Sequence, residues 1–311
     1  MRKVIGVGET ILDIIFKNNQ PQLAQAGGSV FNAFVTLGRM NIPLCFVSEV
    51  GNDKVGDIIL DFMEANNIPS QYVGRFPEGK SPLAIAFLND KNEAEYLFYK
   101  DSDKQRLETT LPDIQEDDIF IFGSYYALNP ALRERISELL SLAKQRKAII
   151  YYDPNFRNAH AHETVKLRPA ILENFEYADI IRGSADDFRN IFNENNTDRI
   201  FNEHIKFYCQ RLIITNGGES PVVVYDQSQR MEYPTKNIAP LSSIGAGDNF
   251  NAGIIYALLQ HNIKHSDLSS LSNRQWTQII APAIDLATQA CMSHDNYISA
   301  EFAKQYISQT I

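Results

Sequence analysis

The distribution of apolar and polar residues predicts an α/β protein. Short apolar runs of strand length, such as Val4–Val7 and Arg211–Thr215, are separated by longer stretches whose apolar residues recur at helical spacing. From Asp118 onward, strand and helix patterns alternate, which favours a parallel sheet with helices on both faces. Ligands of such sheets bind at the carboxyl ends of the strands, so residues that follow the strands are the first candidates for function.

The most informative stretch lies late in the chain, where Gly245-Ala246-Gly247 precedes Asp248 and an apolar run over residues 250–259 predicts a helix. Small residues before a helix leave backbone amides exposed at the positive end of the helix dipole, which favours an anion. A carboxylate beside a bound anion has a raised pKa and is a candidate base for an alcohol. The pattern predicts phosphoryl transfer to a hydroxyl group; a tight connection with Asp248 as a helix cap is the alternative.

A second glycine-rich segment, Gly27-Gly28, opens a predicted helix that carries Asn32. Two glycines allow the backbone to approach a ligand, and the Asn32 amide offers a donor and an acceptor to a polyol. Asp13 lies alone among apolar residues and could accept hydrogen bonds from two sugar hydroxyls. The alternatives are a solvent-facing acid for Asp13 and a structural amide for Asn32.

These two segments together resemble the signatures of the PfkB/ribokinase family of sugar kinases, and the resemblance covers nearly the whole chain. It implies an α/β, ribokinase-like fold: a doubly wound, mostly parallel sheet with helices on both faces and a small β-sheet lid. It also implies one kinase domain over residues 1–311, with the lid contributed by about residues 11–26 and 81–101, the latter around a hairpin signal at residues 89–92.

The resemblance implies a role for each matching residue. Asp248 is expected to take the proton of a sugar hydroxymethyl group while the amides of Gly245, Ala246 and Gly247 stabilise the transferred phosphoryl group. The residues implied to bind the sugar are Asp13, Gly27, Gly28, Asn32, Lys100 and Arg157. The residues implied to bind the nucleotide are Ser184, Thr215, Gly217 and Gly218. For Lys100, a plain surface lysine is the alternative.

Three residues depart from the family pattern. The resemblance implies that the chain uses ATP with Mg²⁺. Ser184 and Asp187 stand where the family has Asn and Glu, and we expect the shorter Asp187 carboxylate to hold the Mg²⁺ ion through water. Ser242 stands where the family has an Asp that helps to hold a monovalent cation. Because Ser242 offers no charge, dependence on potassium is doubtful.

The substrate prediction is fructose. Gly8-Glu9 with Asp13, and the segment 153–157 (Asp-Pro-Asn-Phe-Arg), resemble the fructokinase and 2-keto-3-deoxygluconate kinase branch. A 2-keto-3-deoxygluconate kinase, a ribokinase and a nucleoside kinase are the enzyme alternatives. A sugar-sensing protein on a kinase fold is the alternative from another class.

Composition narrows the partners and the compartment. The 311 residues carry a formal net charge of −9, which argues against a nucleic-acid-binding face. No apolar run approaches the roughly 18–20 residues of a membrane span, and the three cysteines are widely spaced. The N-terminus leads directly into a strand without a signal core, so we expect a cytoplasmic protein. Lids of the resembled family often pair, which suggests a homodimer through the lid.

Overall fold

The computed structural model describes residues 2–88, 94–101, 105–218 and 220–310. The strands of this part of the chain are β1 (Val4–Val7), β2 (Ile11–Lys17), β3 (Gln20–Gly27), β4 (Leu44–Gly51), β5 (Val73–Phe76), β6 (Leu83–Leu88), β7 (Ala94–Tyr99), β8 (Ile119–Gly123), β9 (Ile149–Asp153), β10 (Ile180–Ser184), β11 (Arg211–Thr215), β12 (Val222–Asp226) and β13 (Gln229–Tyr233). Over the described residues they form one nine-stranded and one four-stranded sheet.

The helices of the described ranges lie between strands, except for the last three, which follow β13 in succession. They are α1 (Ser29–Arg39), α2 (Lys54–Ala65), α3 (Arg133–Gln145), α4 (Thr164–Tyr177), α5 (Ala185–Phe192), α6 (Thr197–Arg199), α7 (Ala246–Gln260), α8 (Asn273–Cys291) and α9 (Ala300–Thr310). A π-helical segment, Ile200–Ile205, continues α6, and short 3-10 turns occur at Ser70–Tyr72, Tyr125–Leu128, Asn158–Glu163 and His265–Ser270. Within these ranges, no helix is long and apolar enough to cross a membrane.

The large sheet has the strand order β13-β12-β11-β10-β9-β8-β1-β4-β5. Neighbouring strands from β11 to β5 are parallel, and β12 and β13 add an antiparallel edge. The predicted mostly parallel α/β sheet is therefore confirmed.

Two hydrophobic cores cover the two faces of this sheet. Alternate residues of one strand enter different cores: Val4 packs with α1, α2, α7, α8 and α9, whereas Ile5 packs with α3, α4 and α5. Because successive side chains of a strand point to opposite faces, this division places helices on both sides of the sheet. Helix α1 is buried along nearly its whole length, since it lies between the sheet and α7.

The small sheet has the strand order β3-β2-β6-β7 and stands apart from the large one. Asp13 pairs with Ala84, so both lie on one face, and Ala84 and Ala86 on that face are buried. Phe16 and Phe87 lie on the opposite face, where their rings stack with centroids 5.4 Å apart. The small sheet predicted from residues 11–26 and 81–101 is present, while the predicted turn Asn89–Asn92 lies outside the described residues.

Some predicted element bounds were wrong. The helix expected over residues 129–146 begins only at Arg133, because a 3-10 turn at Tyr125–Leu128 and a further turn precede it. The helix expected over residues 57–66 begins earlier, at Lys54, where Asp53 caps it by accepting a hydrogen bond from the Gly56 amide.

Candidate active site

A tight turn precedes α7 and presents backbone amides. Gly245 has a φ of 77°, and a Cβ atom there would lie 2.2 Å from the carbonyl oxygen of Asn296, so only glycine fits. Asn249 Nδ2 fixes the turn by donating to the carbonyl oxygens of Gly245 (2.8 Å) and Asn296 (2.9 Å). The amides of Gly247 and Asp248 find no acceptor in the described part of the chain, as expected of a helix start. The turn can therefore bind an anion.

The Asp248 side chain lies buried beside this turn, in the first turn of α7. Ser29 Oγ donates to its Oδ1 (3.0 Å) and Asn32 Nδ2 donates to its Oδ2 (2.8 Å). Burial raises the pKa of Asp248 to about 6; the hydrogen bonds from Asn32 and Ser29 and the charge of Arg157 oppose the rise, and Asp153 adds to it. The carboxylate is thus ionised at neutral pH and basic enough to accept a proton.

A chain of hydrogen bonds links Asp248 to the end of β9. The side-chain Nδ2 of Asn155 donates to Ser29 Oγ at 2.7 Å, and the backbone amide of Asn155 donates to Asp153 Oδ1 at 3.0 Å. Asn155 has a φ of 41°, a left-handed conformation that asparagine tolerates better than most residues. The turn after β9 is therefore shaped to face the start of α1, and it brings Ser29 against Asp248.

A buried ion pair lies on the other side of Asp153. Arg182 Nη1 donates to Asp153 Oδ2 (2.8 Å), and Arg182 Nη2 donates to Thr215 Oγ1 (2.6 Å). Asn251 Nδ2 also donates to Asp153 Oδ2, at 2.7 Å, and Tyr151 Oη donates to Asn251 Oδ1 at 2.9 Å. These contacts join the carboxyl ends of β9, β10 and β11 to α7.

The predicted sugar-binding residues near the small sheet lie close together. Gly27 passes so near Asp13 that a Cβ atom would lie 2.5 Å from the Asp13 carboxylate, and Gly28 adopts a φ of 135° at the start of α1. Lys100 Nζ forms an ion pair with Glu9 at 2.7 Å. Burial raises the pKa of Asp13 to about 7, against the lowering effect of Lys100 and with a smaller raising effect of Glu9.

Ser184 and Asp187 form a capping box at the start of α5. Ser184 Oγ accepts from the Asp187 amide, and Asp187 Oδ2 accepts from the Ser184 amide (2.8 Å) and hydroxyl (2.6 Å). Burial and the nearby Asp153 raise the pKa of Asp187, while Arg157 opposes the rise. Arg157 thus influences both Asp187 and Asp248 from an exposed position at the site.

The predicted nucleotide-binding turn after β11 lies at the surface. Gly217 and Gly218 are exposed, and a Cβ atom at either would meet nothing within 4 Å. Gly218 lines a surface cavity of about 560 Å³ together with Pro221, Pro234, Thr235 and Asn237. Thr215, which precedes this turn at the end of β11, accepts the hydrogen bond from Arg182 Nη2.

The donor set for a metal ion is sparse. The described residues contain no cluster of three or more histidine, cysteine or acidic side chains that could hold one. Both hydrogen bonds that Ser184 donates go to Asp187 Oδ2, so Oδ1 would be the oxygen that accepts from a metal-bound water. This arrangement fits Mg²⁺, which keeps several waters and is bound largely by substrate phosphates.

Sequence reasoning missed several residues that the fold brings to this site. Ser29 and Asn251 lie next to the two glycine-rich segments but received no predicted role, and neither did Arg182, which lies in an otherwise apolar strand. An arginine inside an apolar strand was the available signal, because a buried charge requires a partner. Glu9 gave no signal of its pairing with Lys100, which is distant in sequence.

One protein family matches most of the chain. The family described as pfkB family carbohydrate kinase matches residues 1–298. A fructokinase from Rhizobium leguminosarum bv. trifolii is 26% identical over 268 residues, which cover 84% of this chain and 81% of that protein. A probable fructokinase-7 from Arabidopsis thaliana is 24% identical over 290 residues, covering 88% and 81%.

Solved structures share the fold at low sequence identity. A Vibrio cholerae fructokinase double mutant, bound to fructose, ADP and a potassium ion, has a TM-score of 0.80 at 17% identity, with 99% of this chain and 98% of that chain covered. An aminoimidazole riboside kinase from Salmonella enterica, complexed with aminoimidazole riboside and an ATP analogue, also has a TM-score of 0.80 at 17% identity, with 99% and 100% covered.

Proposed function

This chain belongs to the PfkB family of carbohydrate kinases, and we propose that it transfers the γ-phosphoryl group of ATP to a hydroxymethyl group of fructose. Membership makes it a phosphotransferase that acts on a sugar hydroxyl; the sugar, the nucleotide and the residue roles are our proposal. Fructose is favoured because curated relatives at up to 26% identity over most of the chain are named fructokinases.

The proposed mechanism rests on the surroundings of Asp248. Its side chain is buried, accepts hydrogen bonds from Ser29 and Asn32, and lies next to the backbone amides at the start of α7 that have no acceptor. We infer that Asp248 takes the proton of the sugar hydroxyl as its oxygen attacks the γ-phosphorus and the bond to ADP breaks. The amides of Gly245, Ala246 and Gly247 would stabilise charge on the phosphoryl oxygens, and the Ala246 amide would exchange its 3.3 Å hydrogen bond to the Ser243 carbonyl oxygen for this contact. The arrangement supports direct transfer, because the base and the anion-binding amides lie on the same helix turn.

The sugar would lie between this turn and the small sheet. We propose that Asp13 accepts hydrogen bonds from two hydroxyls, with Gly27 and Gly28 allowing close approach and Asn32, Lys100 and Arg157 completing the contacts. Asp13 must be ionised for this role, and Lys100 favours that form. The small sheet would act as a lid that excludes water, the competing phosphoryl acceptor.

The nucleotide would extend from the α7 turn toward β11. We propose that Ser184 and Thr215 contact the phosphates and that the cavity beside Gly217 and Gly218 receives the base. Mg²⁺ would neutralise charge on the β- and γ-phosphates, and Asp187 would hold one of its waters.

A substrate panel tests this proposal. ADP release from Mg-ATP is measured with fructose, ribose, 2-keto-3-deoxygluconate, tagatose and adenosine, with and without potassium. We expect turnover to be fastest with fructose and unchanged by potassium. Faster turnover of another acceptor would replace fructose, and thermal stabilisation by a sugar without any ADP release would favour a sugar-sensing protein.

We also propose a homodimer formed through the outer face of the small sheet. Phe16 and Phe87 stack there, and Leu97 lies on the same face with 46% of its surface exposed. Contiguous exposed apolar side chains on a sheet face are typical of a protein interface. Leu97→Glu should convert the dimer to a monomer in analytical ultracentrifugation, whereas Val165→Glu, a change at an exposed apolar residue on α4, should not. A monomeric wild type would contradict this proposal.

A further inference from the structure

The third residue of β10, Arg182, is a buried cation at the centre of the candidate site. Only 5% of its surface is exposed, and it bridges Asp153 on β9 and Thr215 on β11. Burial alone would lower the pKa of Arg182, but Asp153 and its hydrogen bond outweigh burial and raise it. The guanidinium therefore stays charged at every pH at which a kinase of this kind operates.

The same guanidinium lies against the first turn of α7. A Cβ atom on Gly247 would be 2.8 Å from Arg182 Nη1 and 3.1 Å from Nη2, so the absence of a side chain at Gly247 allows this approach. The guanidinium carbon also lies 5.3 Å from the centroid of the Phe250 ring. Arg182 is thus packed beneath the turn that presents the unfilled amides.

This placement adds positive charge to an anion-binding turn. The start of a helix carries partial positive charge, and a cation beside it is repelled. Asp153 Oδ2, which pairs with Arg182 Nη1, also accepts a hydrogen bond from Asn251 Nδ2. Arg182 Nε is buried and has no hydrogen-bond partner among the residues that the structure describes. Fixed positive charge and unsatisfied donors therefore converge at one place.

We propose that Arg182 is a positioning residue for phosphoryl transfer, whose guanidinium backs the amides at the start of α7 and strengthens their hold on the phosphates of the nucleotide. Through Asp153 and Thr215 it also fixes the two neighbouring strand ends. The inference rests on the proposed function in one respect, that the anion is a phosphate of ATP.

The competing explanation is a purely structural ion pair. Removing one partner of a buried pair strongly destabilises a protein, because it leaves the other charge unpaired, whereas replacing both partners can be neutral. Stability alone therefore cannot distinguish the two explanations. The affinity of the folded protein for a phosphate ligand can, because a structural pair has no direct effect on it.

The experiment compares Asp153→Asn with the double variant Asp153→Asn/Arg182→Met. Each protein is first melted, and its Kd for ADP, and for ADP with Mg²⁺, is then measured by calorimetry without sugar. The double variant avoids the unpaired Asp153 charge that could unfold Arg182→Met alone, and Arg182→Lys serves as the conservative variant. Asp153→Asn leaves the Arg182 charge without its carboxylate, so we expect this variant to melt at a lower temperature than the wild type but, once folded, to retain ADP affinity. We expect the double variant to bind ADP roughly 10- to 100-fold more weakly, the effect of losing a charge-assisted contact.

The salt dependence of ADP binding should also weaken in the double variant, and Arg182→Lys should recover part of the affinity. Equal ADP affinity of Asp153→Asn and the double variant would overturn the inference while leaving the proposed function intact. A wild type that binds ADP but phosphorylates no sugar would contradict the proposed function alone. A wild type that binds no nucleotide would overturn both.

Discussion

Asn32 Nδ2 donates a hydrogen bond of 2.8 Å to Asp248 Oδ2, across a separation of 216 positions in the chain. The contact exists because α1 packs directly against α7. One turn further along, Thr36 Oγ1 donates to Asn249 Oδ1 at 2.5 Å and fixes the same register between the two helices. The two glycine-rich segments that are distant in sequence are thereby joined into one site, with the carboxylate held on both oxygens.

Asn32→Ala should change the pH dependence of catalysis as well as sugar affinity. The Asn32 hydrogen bond lowers the pKa of Asp248, so its removal raises that pKa further. We expect the acid limb of kcat/KM to move to higher pH and the KM for the sugar to rise. Thr36→Val is the matched control, since it removes a buried α1–α7 hydrogen bond but leaves the Asp248 contacts intact. An unmoved acid limb in Asn32→Ala would show that the bond does not tune the base.

The wild-type pH profile follows from the two raised carboxyl pKa values. Asp248, at about 6, and Asp13, at about 7, must both be ionised for the proposed roles. We expect kcat/KM for the sugar to decline as pH falls from 8 to 5, steeply once both groups take up protons. Asp13→Asn should be much less active but lack the limb near pH 7. A flat wild-type profile between pH 8 and 5 would contradict these roles.

Stability should change in the opposite direction over the same range. A carboxyl group whose pKa is higher in the folded than in the unfolded state binds protons preferentially in the folded state. Asp13 and Asp248 therefore stabilise the folded protein progressively as pH falls from about 7 toward 4, and lose that contribution as pH rises. Thermal unfolding across this range, compared with the double variant Asp13→Asn/Asp248→Asn, isolates the contribution. An equal pH dependence in both proteins would refute it.

The α/β class and the α7 turn could be predicted from the residues because each has a local cause, whereas the ribokinase-like arrangement with its small sheet was implied by the family resemblance. Apolar runs of strand length, helical spacing and the Gly245-Ala246-Gly247 segment act over a few residues. The network around Asp153 was not predictable, because it depends on which strands become neighbours. Arg182 is buried only because β10 lies between β9 and β11, and Ser29 reaches Asp248 only because α1 packs on α7. Such contacts require the tertiary structure.

Two substitutions distinguish the role of Ser184 in stability from the proposed role of Asp187 in metal binding. Ser184→Ala removes a helix cap and should lower the free energy of unfolding by about 1 kcal/mol. Asp187→Asn keeps an oxygen for the capping box but loses charge, so it should require more Mg²⁺ for half-maximal rate without a comparable loss of stability. Chelation with EDTA should stop both variants. Wild-type Mg²⁺ dependence in Asp187→Asn would remove this residue from the metal site.

Gly245→Ala should distort the anion-binding turn. A left-handed φ costs an alanine roughly 1–2 kcal/mol, and its Cβ atom would collide with the Asn296 carbonyl oxygen. We expect a lower melting temperature and weaker ADP binding. Gly218→Ala, where the new Cβ atom meets nothing within 4 Å, is the control for stability and should melt like the wild type. An unchanged melting temperature in Gly245→Ala would mean that the turn adapts.

The most direct test of the account is the rate of phosphoryl transfer in Asp248→Asn, measured with Mg-ATP and the best acceptor of the panel, alongside calorimetric sugar binding. Asp186→Asn, a change at an exposed acid at the start of α5, is the control. We predict that Asp248→Asn lowers kcat by about 10²- to 10⁴-fold, the usual contribution of a general base, while sugar affinity stays close to that of the wild type and Asp186→Asn remains fully active. A near-wild-type rate in Asp248→Asn would contradict the assignment of Asp248 as the base.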